Sequence, residues 1–88
     1  MSDPLAIDVQ TTPNPNAAKF TLNRTVAAQG TTYRDPAAAP AWVQRLLGIA
    51  GVTQVFALQT FITVSKIPEG DWSVIAPQVE RVLNEAFA

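Results

Sequence analysis

Cysteine and histidine are both absent from the 88 residues. Without a thiol the chain has no disulfide, no soft-metal ligand and no thiolate nucleophile, and without an imidazole it lacks the side chain that most often moves protons near neutral pH. An iron–sulfur cluster or transition metal ligated by this chain is therefore not expected, and no cofactor is expected to bind directly. Glycine is scarce too, at four residues, and none forms a phosphate-cradling loop, while the serines at positions 2, 65 and 73 lie in no nucleophile-elbow pattern. The residues point away from an enzyme. Charge of one sign is also lacking: six Lys plus Arg against seven Asp plus Glu give a net charge of −1. That leaves no cationic excess to neutralise phosphates, so nucleic acid is not an expected partner. No apolar run approaches the ~20 residues that span a bilayer, and Met1-Ser2-Asp3-Pro4 lacks a cationic, apolar leader. The expectation is a cytoplasmic protein with no membrane partner.

What is present is a composition suited to a packed core, with 48% apolar and 15% charged residues, in a length that supports one domain over 1–88. Leu5, Ile7 and Val9 alternate with polar or small residues at the period of a strand. Residues 11–16, Thr-Thr-Pro-Asn-Pro-Asn, interrupt it, because each proline lacks a ladder N–H. Ala18, Phe20 and Leu22 then resume the alternation as a second strand antiparallel to the first. Residues 25–39 stay open: Thr31, Thr32 and Tyr33 could add a short strand, and 35–40 reads as a connector.

Pro40 suits a first helical turn, and Val43, Leu46, Leu47 and Ala50 follow at helical spacing, predicting a helix over 40–50 with Gly48 inside it and Gly51 as a positive-φ cap. An interior Gly48 would mark close approach of helix and sheet. Residues 52–57 and 61–67 are β-branched and aromatic and predict a second hairpin. Ile62 and Val64 point to one face, Phe61, Thr63 and Ser65 to the other. Ile75, Val79, Val82, Leu83 and Ala86 share one face of a last helix, whose start is complicated by Pro77, so a kink or 3₁₀ start is expected there. The fold class is α+β: a β-β-α-β-β-α order, with a largely antiparallel sheet and two helices packed on one face.

Few segments could carry chemistry. Glu69 and Asp71 are two carboxylates on a short turn that could in principle bind a hard cation, but such a pair is more often a solvated helix entrance. Pro13, Asn14, Pro15 and Asn16 make either a self-bonded turn or a stiff loop presenting two amides to a partner. Lys19 adds a donor near that loop. Trp42 and Trp72 each begin a helix, where indoles serve as core staples or as interface anchors. Phe61 and Thr63, on the sheet face away from the core, could form a docking surface.

Two stretches resemble a known family: Thr12-Pro-Asn-Pro-Asn-Ala-Ala-Lys-Phe-Thr-Leu-Asn-Arg24, and Leu46-Leu-Gly-Ile-Ala-Gly-Val-Thr-Gln-Val-Phe56 followed by Phe61-Ile-Thr-Val-Ser-Lys66. They look like the N-terminal domain of NifU-like (Nfu) iron–sulfur scaffold and carrier proteins, here free-standing. The similarity covers nearly the whole chain and is weakest over 25–40. In full-length members a separate C-terminal domain carries the Cys-x-x-Cys that binds a cluster, and the N-terminal domain contributes no ligand.

The resemblance implies a non-catalytic, protein-binding accessory role in cluster assembly or delivery, with a cysteine-bearing scaffold, carrier or target as partner. No catalytic residue is transferable, and Asn14, Asn16 and Lys19 could be shared for reasons of fold alone. The candidate partner-binding residues are Pro13, Asn14, Pro15, Asn16, Lys19, Phe61 and Thr63. The rival expectation is a general peptide-recognition module, unrelated to iron, that uses an edge strand or the open sheet face.

Overall fold

The computed structural model describes residues 4–87. Five strands form one antiparallel sheet: β1 (Ile7–Thr11), β2 (Ala17–Leu22), β3 (Ala27–Tyr33), β4 (Val52–Gln59) and β5 (Phe61–Lys66), in the spatial order β1-β2-β5-β4-β3. A 3₁₀ turn (Pro36–Ala38) and helix α1 (Ala41–Leu47) connect β3 to β4, and α2 (Trp72–Phe87) follows β5. The α+β reading holds, with one strand more than the residue pattern assigned.

That strand, β3, pairs with β4 from Ala27↔Gln59 to Tyr33↔Val55 and carries a register shift between Ala27 and Thr31. Its residues, Ala-Ala-Gln-Gly-Thr-Thr-Tyr, show no apolar alternation, because the strand lies at the sheet edge with five consecutive exposed positions. Pairing with β4 makes it a strand. At Gly30 a Cβ would stand 3.2 Å from Cζ of Phe56, so any side chain there would press on that ring.

Alternation places the core. Ala18, Phe20 and Leu22 of β2, Ile62 and Val64 of β5, and Val55 and Ala57 of β4 are buried on one sheet face, against Val43 and Leu46 of α1 and Ile75, Val79, Val82 and Leu83 of α2. Phe20 is the largest of the fully buried side chains in this layer. Both helices thus cover the same face and leave the other open. Among the described residues no helix is long and apolar enough to cross a membrane.

Three local expectations need correction. Helix α1 ends at Leu47, not at position 50, and Gly48 is its C-cap, donating its N–H to the Gln44 carbonyl. A Cβ on Gly48 would meet only backbone oxygens of α1 itself, so Gly48 marks the end of the helix and no approach to the sheet. Gly51 does take the expected positive φ, at 96°. In α2, the helix runs unbroken through Pro77. Asp71 takes the load at its start: its carboxylate accepts from the Ser73 N–H at 2.9 Å, and its carbonyl accepts from both Val74 and Ile75. The expected 3₁₀ character survives only as that shared bond. Ala86 is exposed, and Phe87 instead closes the apolar stripe by an edge-to-face contact with Trp42, centroids 5.1 Å apart.

Candidate functional site

The loop between β1 and β2 is built by its own side chains. The Thr12 hydroxyl accepts from the Asn14 N–H and donates to the Ala17 carbonyl, and the Asn14 amide oxygen accepts from the Asn16 N–H at 2.9 Å. This is Asx-turn chemistry, and the two prolines narrow what the loop could do otherwise. Asn16 turns away from solvent, and its amide oxygen accepts from Nζ of Lys66 at 3.1 Å.

Among the described residues Lys66 is the one charged or polar residue in the buried set, and its ammonium also reaches the carbonyls of Ile67 and Pro68. A buried ammonium needs such acceptors, because desolvation without partners is costly. On the other flank, the Trp72 indole N–H donates to the Pro15 carbonyl at 3.0 Å. Trp72 therefore staples the loop to the start of α2 and keeps an apolar ring half-exposed beside it.

Between that staple and the edge strand lies a cleft of about 410 Å³. Val9 and Thr11 of β1, Pro13 and Pro15 of the loop, and Trp72 and Ala76 of α2 form most of its wall. The wall is predominantly apolar, and Val9 is 43% exposed in it. Apolar side chains held open on a stiff frame are what a ligand site needs: area to bury and little order left to impose.

The seven residues singled out in the sequence divide into two places. Pro13, Asn14 and Pro15 line the cleft, with Asn16 behind them. Lys19, Phe61 and Thr63 lie on the opposite, open face of the sheet: Lys19 pairs with Thr63 across β2 and β5, and its ammonium stands 4.4 Å from the centre of the Phe61 ring. Phe56 joins them, 6.1 Å from Phe61. Adjacent in sequence, Ala18 and Lys19 face opposite sides, which is the period of a strand and separates the loop from the lysine.

Val9, Thr11, Lys66 and Ala76 were not legible as members of a site, since each belongs to it only through segments distant in sequence, Val9, Thr11 and Ala76 across the cleft and Lys66 through Asn16. Trp72 was legible as an anchor without a place. Among the described residues no three acidic side chains converge as a metal site, and a chain without Cys or His offers no donor set that fits an iron–sulfur cluster.

Residues 7–88 match the family model described as scaffold protein Nfu/NifU N terminal. A mitochondrial iron–sulfur cluster scaffold homolog of Drosophila grimshawi is 38% identical over 86 residues, covering 93% of this chain and 29% of that protein. Conserved virulence factor C of Staphylococcus aureus is 32% identical over 80 residues, covering 89% of this chain and 21% of its own length. The chain thus spans less than a third of either relative.

Among solved structures, a Staphylococcus aureus protein determined by crystallography superposes with a TM-score of 0.77 at 32% identity, covering 88% of this chain and 96% of that one. The solution structure of a NifU-like protein from Saccharomyces cerevisiae superposes at 0.81 with 23% identity, over 97% of this chain and 82% of that one, and shows the same fold. With the family model matched along nearly its whole length, this chain belongs to the Nfu/NifU scaffold protein N-terminal family.

Proposed function

We propose that this domain is a non-catalytic protein-binding accessory in iron–sulfur cluster assembly or delivery, acting in the cytoplasm beside a cysteine-bearing scaffold, carrier or target that holds the cluster. Family membership supports the iron–sulfur context. The observation that carries the binding role is the apolar cleft walled by Val9, Pro13, Pro15 and Trp72. Its frame is already ordered by the Trp72–Pro15 and Lys66–Asn16 bonds, so a partner would lose little further entropy on docking. A chain without Cys or His leaves ligation to the partner's thiolates.

The test is an anaerobic titration of the isotope-labelled domain with cysteine-bearing scaffold domains, with and without cluster. The Trp72 indole N–H and the backbone amides of the loop are expected to shift in a saturable way. An unchanged amide spectrum across the series would sink the reading.

A further inference from the structure

The sheet has two edges, and they are not alike. The β3 edge is interrupted by the register shift between Ala27 and Thr31, a device that blunts strand addition. The β1 edge is regular: five consecutive pairs join it to β2, from Ile7↔Leu22 to Thr11↔Ala18, without irregularity. Neither lysine nor proline occurs within Ile7–Thr11, and residues 8–11 are all exposed. Among the described residues nothing pairs with its outer side.

The direction of its backbone groups follows from two bonds. The Ala6 carbonyl accepts from the Asn23 N–H, and the Leu22 N–H donates to Thr60 on the far side of β2. Alternation then turns the backbone of Asp8 and Gln10 toward β2, and that of Ile7, Val9 and Thr11 toward the open edge. The same alternation puts the side chains of Ile7, Val9 and Thr11 on the helix-covered face, and two of them wall the cleft. Free donors and acceptors thus run along the rim of an apolar trough.

Charge adds a preference. Asp71 immediately precedes Trp72 and is exposed, whereas the exposed Asp8 points to the opposite, open face of the sheet. The ammonium of Lys66 is taken up by Asn16 and two carbonyls, and that of Lys19 lies over Phe61 on the other face. The Trp72 end of the trough is therefore acidic.

We propose that the outer edge of β1 and the cleft beside it form a single site for an extended segment of a partner protein, added as a sixth strand, with an apolar side chain against Val9 and Trp72 and a lysine or arginine beside Asp71. This inference rests on the protein-binding reading and supplies its mode. Main-chain bonds provide affinity in such an arrangement, and the trough selects alternate side chains.

A library of short random peptides displayed against the domain tests it. The enriched sequences should alternate apolar with polar residues and carry a basic residue, and the best of them should perturb the amides of Ile7, Val9 and Thr11 and the Trp72 indole. Resynthesised with N-methyl groups on alternate nitrogens, one of the two methylation patterns should weaken binding at least about tenfold, the other little, since only one set of N–H groups faces β1. Val9→Pro removes an outward N–H and no bond to β2, a position where an edge tolerates proline. It should give a similar loss, whereas Lys19→Ala with Phe61→Ala should give none.

Absence of any enriched peptide overturns the proposal, as do equal binding of both methylated forms, equal binding to Val9→Pro, or shifts centred on Lys19 and Phe61. Self-association abolished by Val9→Pro would assign the edge to a second copy of this chain and equally overturn it. The methylated peptides act on the unaltered domain, so the outcome does not hang on the folding of a variant. If a cysteine-bearing scaffold domain binds Val9→Pro as well as the parent, strand addition fails and the protein-binding reading stands. If peptides dock on β1 while no scaffold domain binds, the edge site stands and the iron–sulfur reading falls.

Discussion

The ammonium of Lys66, at the last position of β5, lies 3.1 Å from the amide oxygen of Asn16, fifty residues earlier in the chain. The bond ties the end of a central strand to the proline–asparagine loop, and Lys66 and Asn16 also bond through their backbones, the Lys66 N–H donating to the Asn16 carbonyl at 2.8 Å. Loop position and sheet register are set together here. Asn16→Ala deprives a buried ammonium of one acceptor and is expected to destabilise the domain by about 1–3 kcal/mol. Urea denaturation measures it, and a loss below a few tenths would show that water replaces the amide.

Trp72→Phe keeps an aromatic ring in the cleft wall and removes the N–H that reaches Pro15. Stability should fall by about 1 kcal/mol. Hydrogen exchange should also quicken at the Ala17 amide, whose N–H bonds to the Asn14 carbonyl within the loop. Unchanged exchange at Ala17 would mean that the prolines hold the loop without the indole.

Gly51 has φ 96°, and a Cβ there would stand 3.2 Å from Cδ1 of Ile75. Gly51→Ala therefore combines left-handed backbone with crowding against a core side chain and should cost about 1–2 kcal/mol. Thermal unfolding reads the effect. A melting temperature equal to the parent's would refute the conformational assignment.

Pro77 lies in the interior of α2, where it can donate no N–H and crowds the preceding turn. Pro77→Ala restores the donor at an exposed position and is expected to raise stability by about 1–3 kcal/mol. Equal or lower stability would indicate that proline acts mainly by restricting the unfolded chain.

Glu85 bonds to Arg45 across the two helices and stands 3.6 Å from Arg81 on its own. The Arg45 hydrogen bond, then its charge, holds the Glu85 carboxyl below its ordinary value of 4.5, with Arg81 adding to the effect. A carboxylate whose folded value is depressed contributes stability above the unfolded value and loses it as pH falls through the folded one. The denaturation midpoint should thus decline below about pH 4.5, and more steeply in the parent than in Glu85→Gln. Because the pair is exposed, about 1 M salt should shrink the difference. Parallel pH profiles at low salt would remove the pair from the account of acid stability.

Much of the fold was readable because its signals are local. The alternation of Ala18, Phe20 and Leu22, or of Ile62 and Val64, is a property of neighbours in the chain, and so is the stripe from Ile75 to Leu83. β3 was readable only as an option at Thr31, Thr32 and Tyr33, since an exposed edge strand needs no apolar face and owes its existence to pairing with β4. The end of α1 was misplaced because Gly48 satisfies a helical pattern as readily as a C-cap.

The candidate site was half legible. The loop announced itself through Pro13, Asn14, Pro15 and Asn16, whose turn chemistry is local. Its partners Lys66 and Trp72 lie fifty and more positions away, and no periodicity joins them. Lys19, Phe61 and Thr63 do share one patch, but on the face opposite the cleft.

By itself the sequence determined what this chain cannot ligate, since no arrangement of 88 residues without cysteine or histidine supplies thiolate or imidazole. It also determined the α+β layering, because burial periodicity is written residue by residue. Only the tertiary structure decided which edge of the sheet is left regular and open, and that an apolar cleft opens beside it. Both depend on how β1, the loop and α2 meet, and packing between distant segments leaves no mark on any one of them.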